Sequence, residues 1–171
     1  MRPIALMAAV LCSAVATAAD APTPSHCSAS EAVLFSCRIK GSAKILSLCG
    51  SRQLSKDTGY LQYRFGPPKA VELAFPKERE NSLSQFLYLH YFRYQVDQTS
   101  VSFRNSGYTY SIHDDYVGDI KPSETRRGVS IGKTSPAEHR DLECTGPVIS
   151  HLAKLRDVIA CDKSDGMGDC P

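Results

Sequence analysis

The chain has 171 residues, and its 20 lysines and arginines nearly balance its 18 aspartates and glutamates, for a formal net charge of +2. This balance gives no electrostatic case for nucleic-acid binding, which needs a basic surface. Tryptophan is absent, so eight tyrosines and six phenylalanines supply the aromatic side chains.

The first 19 residues have the pattern of a cleavable secretory signal peptide. One basic residue precedes an apolar run at 4–11, and small residues fill 14–19. This order is typical of export. Cleavage is predicted to leave Ala19 or Asp20 as the mature N-terminus, without lipidation at Cys12. The run is too short to span a membrane, and no transmembrane segment is predicted elsewhere.

Removing 19 of the 171 residues leaves 152, which is the size of one domain. Residues 20–30 are rich in Pro, Ser and Ala and predict a flexible leader. A single β-rich domain is predicted at 31–161. Residues 162–171 are polar and glycine-rich and predict a tail.

The cysteines predict an exported, disulfide-bonded protein. Six remain after the signal peptide, and an even count in an exported chain indicates up to three disulfides. Alternation at 33–39 and 44–49 predicts a hairpin with its turn near residue 43. Cys37 then lies opposite Cys49, within disulfide distance, so we expect this pair. The other four are Cys27, Cys144, Cys161 and Cys170.

The rest of the domain also has a strand pattern. The segment 86–94 is apolar on both faces, which predicts a central strand. In chain order the other predicted elements are a hairpin of 60–65 and 71–75 ended by Pro76, a hairpin of 101–104 and 108–113 around a turn at 105–107, and a looser strand at 128–133.

The tail of the domain changes period. Apolar residues recur there at intervals of 4, 3 and 4, which predicts a short helix. About 12 residues of helix span near 18 Å, too far for Cys144 to reach Cys161. Cys27 and Cys170 are then the partners available to those two cysteines. The apolar residues are Val148, Leu152, Leu155 and Ile159.

The predicted fold class is therefore mainly β, stabilised by disulfides. We expect an antiparallel sheet, a sandwich or an open barrel of about eight short strands, with one helix near the C-terminus.

No decisive catalytic, metal or cofactor motif is present, so no catalytic residue, metal ligand or cofactor is predicted. The sequence around His113, with Asp114, Asp115 and Asp119, is typical either of a base with its orienting carboxylate or of a polar strand end. Residues 138–143 hold one histidine and three carboxylates, the composition of a site or of a solvated segment.

Two further motifs are incomplete. Residues 162–169 resemble a calcium loop, but a residue before its glycine and the final glutamate are missing. The Gly-x-Ser-x-Gly elbow of many serine hydrolases does not occur.

Seven tyrosines outnumber what a core of this size needs, which indicates either a contact surface or a core with tyrosine hydroxyls at its rim. They are Tyr60, Tyr88, Tyr91, Tyr94, Tyr108, Tyr110 and Tyr116.

About the first half of the mature chain resembles small exported proteins of proteobacteria that have no assigned activity. The resemblance implies a location in the bacterial envelope, periplasmic or secreted. It rests on Leu34-Phe35-Ser36-Cys37, Leu46-Ser47-Leu48-Cys49-Gly50-Ser51, Tyr60-Leu61-Gln62-Tyr63-Arg64-Phe65-Gly66, Val71-Glu72-Leu73 and Pro76.

The third hairpin is similar to the Ser-Gly-containing loop with which periplasmic lysozyme inhibitors plug an enzyme cleft. Ser106 and Gly107 are followed here by Tyr108 and Tyr110. A turn between two well-patterned strands is rigid, so binding through it costs little ordering entropy. The predicted contact residues are Arg104, Ser106, Tyr108 and Tyr110, with ordinary turn chemistry as the alternative.

The function predicted from these features is a non-enzymatic binding protein of the bacterial envelope that engages a protein partner, as a hydrolase inhibitor or a toxin-immunity protein does. A carbohydrate-binding or envelope-binding module with tyrosine platforms is the first alternative. A small secreted hydrolase that uses His113 is the second.

Overall fold

A computed structural model describes residues 23–133 and 138–164, which form one curled, open sheet of ten strands, a half-barrel. The strands lie in the order β10-β5-β6-β7-β8-β9-β1-β2-β3-β4. Their bounds are β1 Glu31–Ile39, β2 Ile45–Ser51, β3 Leu61–Gly66, β4 Leu73–Phe75, β5 Leu87–Arg93, β6 Val96–Asn105, β7 Tyr108–Val117, β8 Glu124–Gly132, β9 Arg140–Ser150 and β10 Ala160–Cys161.

Two short 3-10 helices, Ser82–Gln85 and Leu152–Leu155, accompany the strands. In the described part of the chain, no helix has the length and apolar character needed to cross a membrane. The predicted signal peptide, its cleavage point and Cys12 lie outside the described residues.

All three predicted hairpins are confirmed: β1 pairs with β2, β3 with β4, and β6 with β7, each antiparallel. They form because apolar and polar residues alternate with the period of a strand on both sides of a turn. The looser strand predicted at 128–133 is the second half of β8. Ten strands form instead of about eight.

The core lies on the inner face of the curled sheet, between β1–β3 on one side and β5–β8 on the other. Phe103 is at its centre, and its ring stacks on Phe75 at 4.5 Å and on Tyr110 at 4.8 Å between centroids. Other fully buried members are Phe35, Cys37, Leu46, Leu48, Leu61, Tyr63, Phe86, Val101, Ile112, Val129, Leu152 and Leu155.

The two halves of the sheet meet at one pair of strands, β1 and β9. Arg140–Ser150 is long enough to pair with β8 through its first residues and with β1 through its last. A bulge interrupts the β1–β9 ladder, with Gly146 (φ 71°) in the extra stretch of β9. We call this pair of strands the seam.

The predicted C-terminal helix is wrong. Val148 lies in β9, Leu152 and Leu155 lie in a single 3-10 turn, and Ile159 precedes β10. Leu152, Leu155 and Ile159 are nonetheless buried, because together they cover one end of the core. The spacing of these apolar residues reflects their burial and not a helix. The β-branched residues at 148–149 favour a strand.

The prediction of a central strand at 86–94 is also wrong. β5 is the second strand from one end of the sheet, with only the two residues of β10 beyond it. Of its aromatic side chains only Tyr88 is fully buried, and Phe92 is 63% exposed. The apolar residues on both faces of β5 therefore do not show that the strand is buried on both sides. Several of them lie at the protein surface.

The disulfide prediction Cys37–Cys49 is wrong. Cys27 bonds to Cys49, and Cys37 bonds to Cys144 across the seam. The β1–β2 turn is centred between residues 41 and 42 and not near residue 43, so Cys37 faces Leu46. Cys161 is also disulfide-bonded, and Cys170 lies outside the described residues. This oxidation indicates an oxidising, extracytoplasmic compartment.

Residues 23–28 cover the outer face of β1–β3, although the sequence predicts a flexible leader there. The Ser36 hydroxyl donates to the Pro24 carbonyl at 2.7 Å, and the His26 N–H donates to the Ser47 hydroxyl at 3.0 Å. The disulfide from Cys27 adds a covalent tie. Because the core covers the inner face of these strands and this segment covers the outer face, most residues of β1–β3 are buried on both sides.

A buried ion pair lies under this covering segment. Arg64 donates two hydrogen bonds to the Glu31 carboxylate, at 2.7 and 2.6 Å, and one to the His26 carbonyl at 2.8 Å. Tyr60 also donates to Glu31, at 2.6 Å. No buried side-chain nitrogen or oxygen of the described residues lacks a partner.

Burial by itself would raise the pKa of Glu31, but hydrogen bonds from Arg64, Tyr60 and the Ser28 N–H outweigh it and lower that pKa from 4.5 to about 2. A lowered pKa in the folded state stabilises the fold above the unfolded-state pKa. That stability is lost as the pH falls from 4.5 towards 2.

Glu31→Gln is expected to lower the free energy of unfolding at neutral pH by about 3 kcal/mol, because Arg64 loses its buried counter-ion. The variant should also lose less stability than the wild type as the pH falls from 4.5 to 2. Urea unfolding across this range measures both effects.

The matched control is Glu72→Gln, which breaks the exposed Lys44–Glu72 pair and should cost less than about 1 kcal/mol. An equal loss in both variants, or an unchanged acid profile in Glu31→Gln, would contradict this account of the ion pair.

Candidate functional site

A grid of polar side chains lies on the face of β6, β7 and β8 opposite the core. Successive side chains of a strand point to opposite faces, so the buried Val101, Ile112 and Val129 leave their neighbours on the outer face. The register places these neighbours in rows of Gln98, Asp115 and Arg126; of Ser100, His113 and Gly128; and of Ser102, Ser111 and Ser130. We call this set the polar grid.

Most of the polar grid lines a cleft of about 440 Å³. Leu89 and Tyr91 of β5 stand on one side of the cleft, and Asp141 and Glu143 of β9 stand on the other. Gly128 lies in the middle row because β9 passes very close: a Cβ at this position would be 2.1 Å from the carbonyl oxygen of Leu142.

Only two residues of the predicted His113 constellation share the cleft. His113 and Asp115 both line it, within β7 and not at its end. Asp114 points to the opposite face, where it accepts a hydrogen bond from Arg127 at 2.6 Å, and Asp119 accepts one from Arg93 at 2.5 Å. Desolvation raises the pKa of Asp115, and the nearby His113 partly offsets that rise.

The predicted segment 138–143 supplies the other wall of the cleft. Asp141 accepts hydrogen bonds from Ser130 at 2.6 Å and from His139 at 3.1 Å. The Ser130 hydrogen bond is the main cause of the lowered pKa of Asp141.

Ser130, Asp141 and His139 are the residue types of a catalytic triad, but their hydrogen bonds are connected in a different order. In a triad the hydroxyl bonds to the imidazole, which takes its proton. Here the carboxylate of Asp141 lies between Ser130 and His139. A carboxylate with a lowered pKa is a poor base for a serine hydroxyl, so this set does not generate a nucleophile.

Metal binding finds no support in the geometry. Within residues 23–133 and 138–164, no group of three or more His, Cys, Asp or Glu side chains is arranged to hold a metal ion. Most of the calcium-like segment, from 165 onward, lies outside the described residues.

The predicted contact hairpin is present, with a tighter turn than expected. Asn105 pairs with Tyr108, which leaves a two-residue loop in which Ser106 (φ 51°) and Gly107 (φ 81°) are both left-handed. Such a turn matches the twist of a hairpin. Arg104 and Ser106 are exposed.

The two tyrosines of this hairpin are largely engaged within the protein. The Lys133 ammonium lies 4.8 Å from the ring centroid of Tyr108. Tyr110 stacks on Phe103 at 4.8 Å and belongs to the edge of the core. The register places Arg104 and Tyr108 on opposite faces of the hairpin, with Ser106 in the turn, so the structure does not bring the four predicted contact residues together.

An aromatic patch lies at the opposite end of the same strands. Phe92, Tyr94 and Tyr116 are 63%, 82% and 46% exposed. Phe92 and Tyr116 flank Asp97 in one row across β5, β6 and β7, and Tyr94 lies in the turn after β5. We call these three residues the aromatic tip.

The sequence shows that tyrosines are abundant but does not by itself place Tyr94 and Tyr116 at one end of the sheet. A signal was available, since Tyr94 and Gln95 separate two runs of strand character and are a two-residue turn. The other tyrosines are dispersed: Tyr60 binds Glu31 and Tyr88 lies in the core, while Tyr91 lines the cleft. They do not form a single platform.

Comparison with known proteins gives no match to a protein-family model, to a curated protein or to a solved structure. The assignment of function therefore rests on the geometry of the chain.

Gly128→Ala is expected to destabilise the fold by about 2 kcal/mol, because the new methyl group meets the backbone of β9 and that strand must move. The control is Gly132→Ala in the same strand, where the nearest atom is the Nδ1 of the His139 side chain at 3.1 Å. Urea unfolding of both variants measures the difference. Equal stability of the two variants would contradict the close approach of β8 and β9.

Proposed function

We propose that this protein is an exported, non-enzymatic binding protein of the bacterial envelope and that its partner is a protein, as for a hydrolase inhibitor or a toxin-immunity protein. The observation that carries the proposal is the aromatic tip. Large exposed aromatic side chains are uncommon on surfaces without partners, and Tyr is enriched among residues that dominate binding energy.

The shape of the tip favours insertion into a cleft. Arg93 pairs with Val96, so Tyr94 and Gln95 form a two-residue turn that projects from the sheet. Tyr94 is the most exposed large hydrophobic residue described, at 82%. A projecting turn with a ring at its apex suits a concave partner, which is what the active site of a hydrolase offers.

The turn is also held in place before binding. The Gln95 carbonyl accepts a hydrogen bond from the Gly118 N–H at 2.7 Å. The Arg93 guanidinium is tied to Asp119 at 2.5 Å. Both contacts attach the turn to the loop after β7, so little conformational entropy remains to be lost on binding.

The chemistry of the cleft supports a non-enzymatic role. Its serine, carboxylate and imidazole are ordered so that the carboxylate takes the serine hydrogen bond, as described above for Ser130, Asp141 and His139. The oxidised cysteines support an extracytoplasmic location, periplasmic or secreted.

The proposal predicts that Tyr94→Ser weakens inhibition or binding of a peptidoglycan hydrolase. The purified mature protein is assayed for inhibition against a panel of lysozyme-type hydrolases, together with Tyr94→Ser and the double variant Ser106→Ala/Tyr108→Ala. Loss of a central aromatic anchor should weaken inhibition at least about 30-fold. Thermal unfolding should be unchanged, because Tyr94 is exposed.

The double variant changes the hairpin at the other end of the strands and is the matched control. Inhibition lost in the double variant but retained in Tyr94→Ser would transfer the contact to the turn at 105–107. Absence of inhibition or binding by the wild type across the panel would contradict the inhibitor proposal.

A further inference from the structure

The polar grid holds hydrogen-bonding side chains that the protein itself does not use. The side chains of Gln98, Ser100, Ser111 and Asp115 all line the cleft and make no hydrogen bond or ion pair with another described residue. His113 makes one long contact, from Nδ1 to the Ser111 carbonyl at 3.4 Å, which leaves its Nε2 available.

Gln98, Ser100, Ser111 and Asp115 are half-buried, and this sets them apart from ordinary surface residues. The aligned residues of the other half-sheet, by contrast, are bonded to one another or to the segment 23–28. A polar group that loses part of its hydration without gaining a partner is costly. Here the cost falls on several side chains that face one cavity, and a ligand that bonds to them would relieve it.

The mixture of groups indicates the kind of ligand. Hydroxyl, amide, imidazole and carboxylate groups together supply both donors and acceptors. Both described guanidinium groups that line the cleft are already paired with a carboxylate, Arg126 with Glu124 and Arg127 with Asp114, which disfavours a phosphate ligand. A neutral molecule with many hydroxyls, each both donor and acceptor, fits this set.

The spacing and the side wall agree with a sugar ring. Neighbouring grid residues are about 4.8 Å apart across strands and about 6.8 Å apart along a strand. Leu89 and Tyr91 border the grid on β5 and give the apolar surface against which the C–H face of a sugar packs. The volume of about 440 Å³ is within the range of small-ligand sites.

We infer that the cleft over the polar grid is a binding site for a neutral saccharide, which hydrogen-bonds to Gln98, Ser100, Ser111, His113 and Asp115 and packs against Tyr91. The site is separate from the aromatic tip. Because the saccharide site and the protein contact use different residues, the protein is able to hold a glycan and a protein partner at once.

The test is a ¹⁵N-¹H NMR titration of the oxidised mature protein with maltotriose, cellotriose and N,N′,N″-triacetylchitotriose, each to about 10 mM, a range that detects millimolar dissociation constants. At least one sugar should shift the amide signals of Ser100, Ser111, His113 and Gly128. Amides of the aromatic tip should stay unchanged.

Three variants locate the site. Asp115→Asn and Ser111→Ala should each weaken binding of the active sugar at least about fivefold, since each removes a hydrogen bond to it. Ser102→Ala is the matched control: it removes a hydroxyl from the same face of β6, outside the residues that line the cleft, and should leave affinity unchanged. The dispersion of the spectra shows that each variant is folded.

Absence of shifts with all three sugars would overturn the inference, as would equal weakening by Ser102→Ala. Shifts confined to residues 92–97 would place any sugar elsewhere. Tyr94→Ser should bind the sugar as the wild type does, so a failure of the saccharide site and a failure of the proposed protein contact are distinguishable.

Discussion

The pairing of β1 with β9 is the constraint on which the rest of the structure depends. It joins two half-sheets, β1–β4 and β5–β9, that have no other ladder between them among the described residues. The core fills the space between these halves, and Phe35 and Cys37 of β1 lie fully buried in it. The Cys37–Cys144 disulfide fixes the seam covalently. The curvature of the sheet and the position of the core both depend on this pairing of β1 with β9.

The outer faces of the two half-sheets differ in whether their polar side chains are hydrogen-bonded within the protein. On β1–β3 the outer side chains are covered by the segment 23–28 and satisfied internally, with the Glu31–Arg64 pair at the centre. On β6–β8 the equivalent face is open, and Gln98, Ser100 and Ser111 keep their hydrogen-bonding capacity. Polar side chains that are hydrogen-bonded within the protein stabilise the fold. Polar side chains without such partners are available to bind a ligand.

Local patterns in the sequence predicted the hairpins well. The strands on either side of Ser106 and Gly107 alternate clearly, and no distant contact competes with that signal. The same alternation would have separated Asp114 from His113 and Asp115, because neighbours in a strand face opposite ways.

The features that could not be predicted depend on contacts between residues far apart in the sequence. The early turn places Cys37 opposite Leu46, and the bulge between Val33 and Phe35 places Cys49 opposite Val33. Its true partner, Cys144, is 107 residues away, and nothing local marks it. The helical period near the C-terminus arose because Leu152 and Leu155 cover the end of a core made by other segments. The aromatic tip depends on which strands lie at the end of the sheet, which is likewise a property of the whole fold.

The most direct test of the seam compares two disulfide deletions by urea unfolding. Cys37→Ser/Cys144→Ser opens a sequence separation of 107 residues, and Cys27→Ser/Cys49→Ser opens one of 22. Chain entropy predicts losses of about 5 and about 3 kcal/mol, respectively. The first variant should also unfold in two steps or lose the cleft amides first, since its half-sheets are no longer tied. A larger loss from the Cys27–Cys49 deletion, with single-step unfolding of the seam variant, would contradict the account.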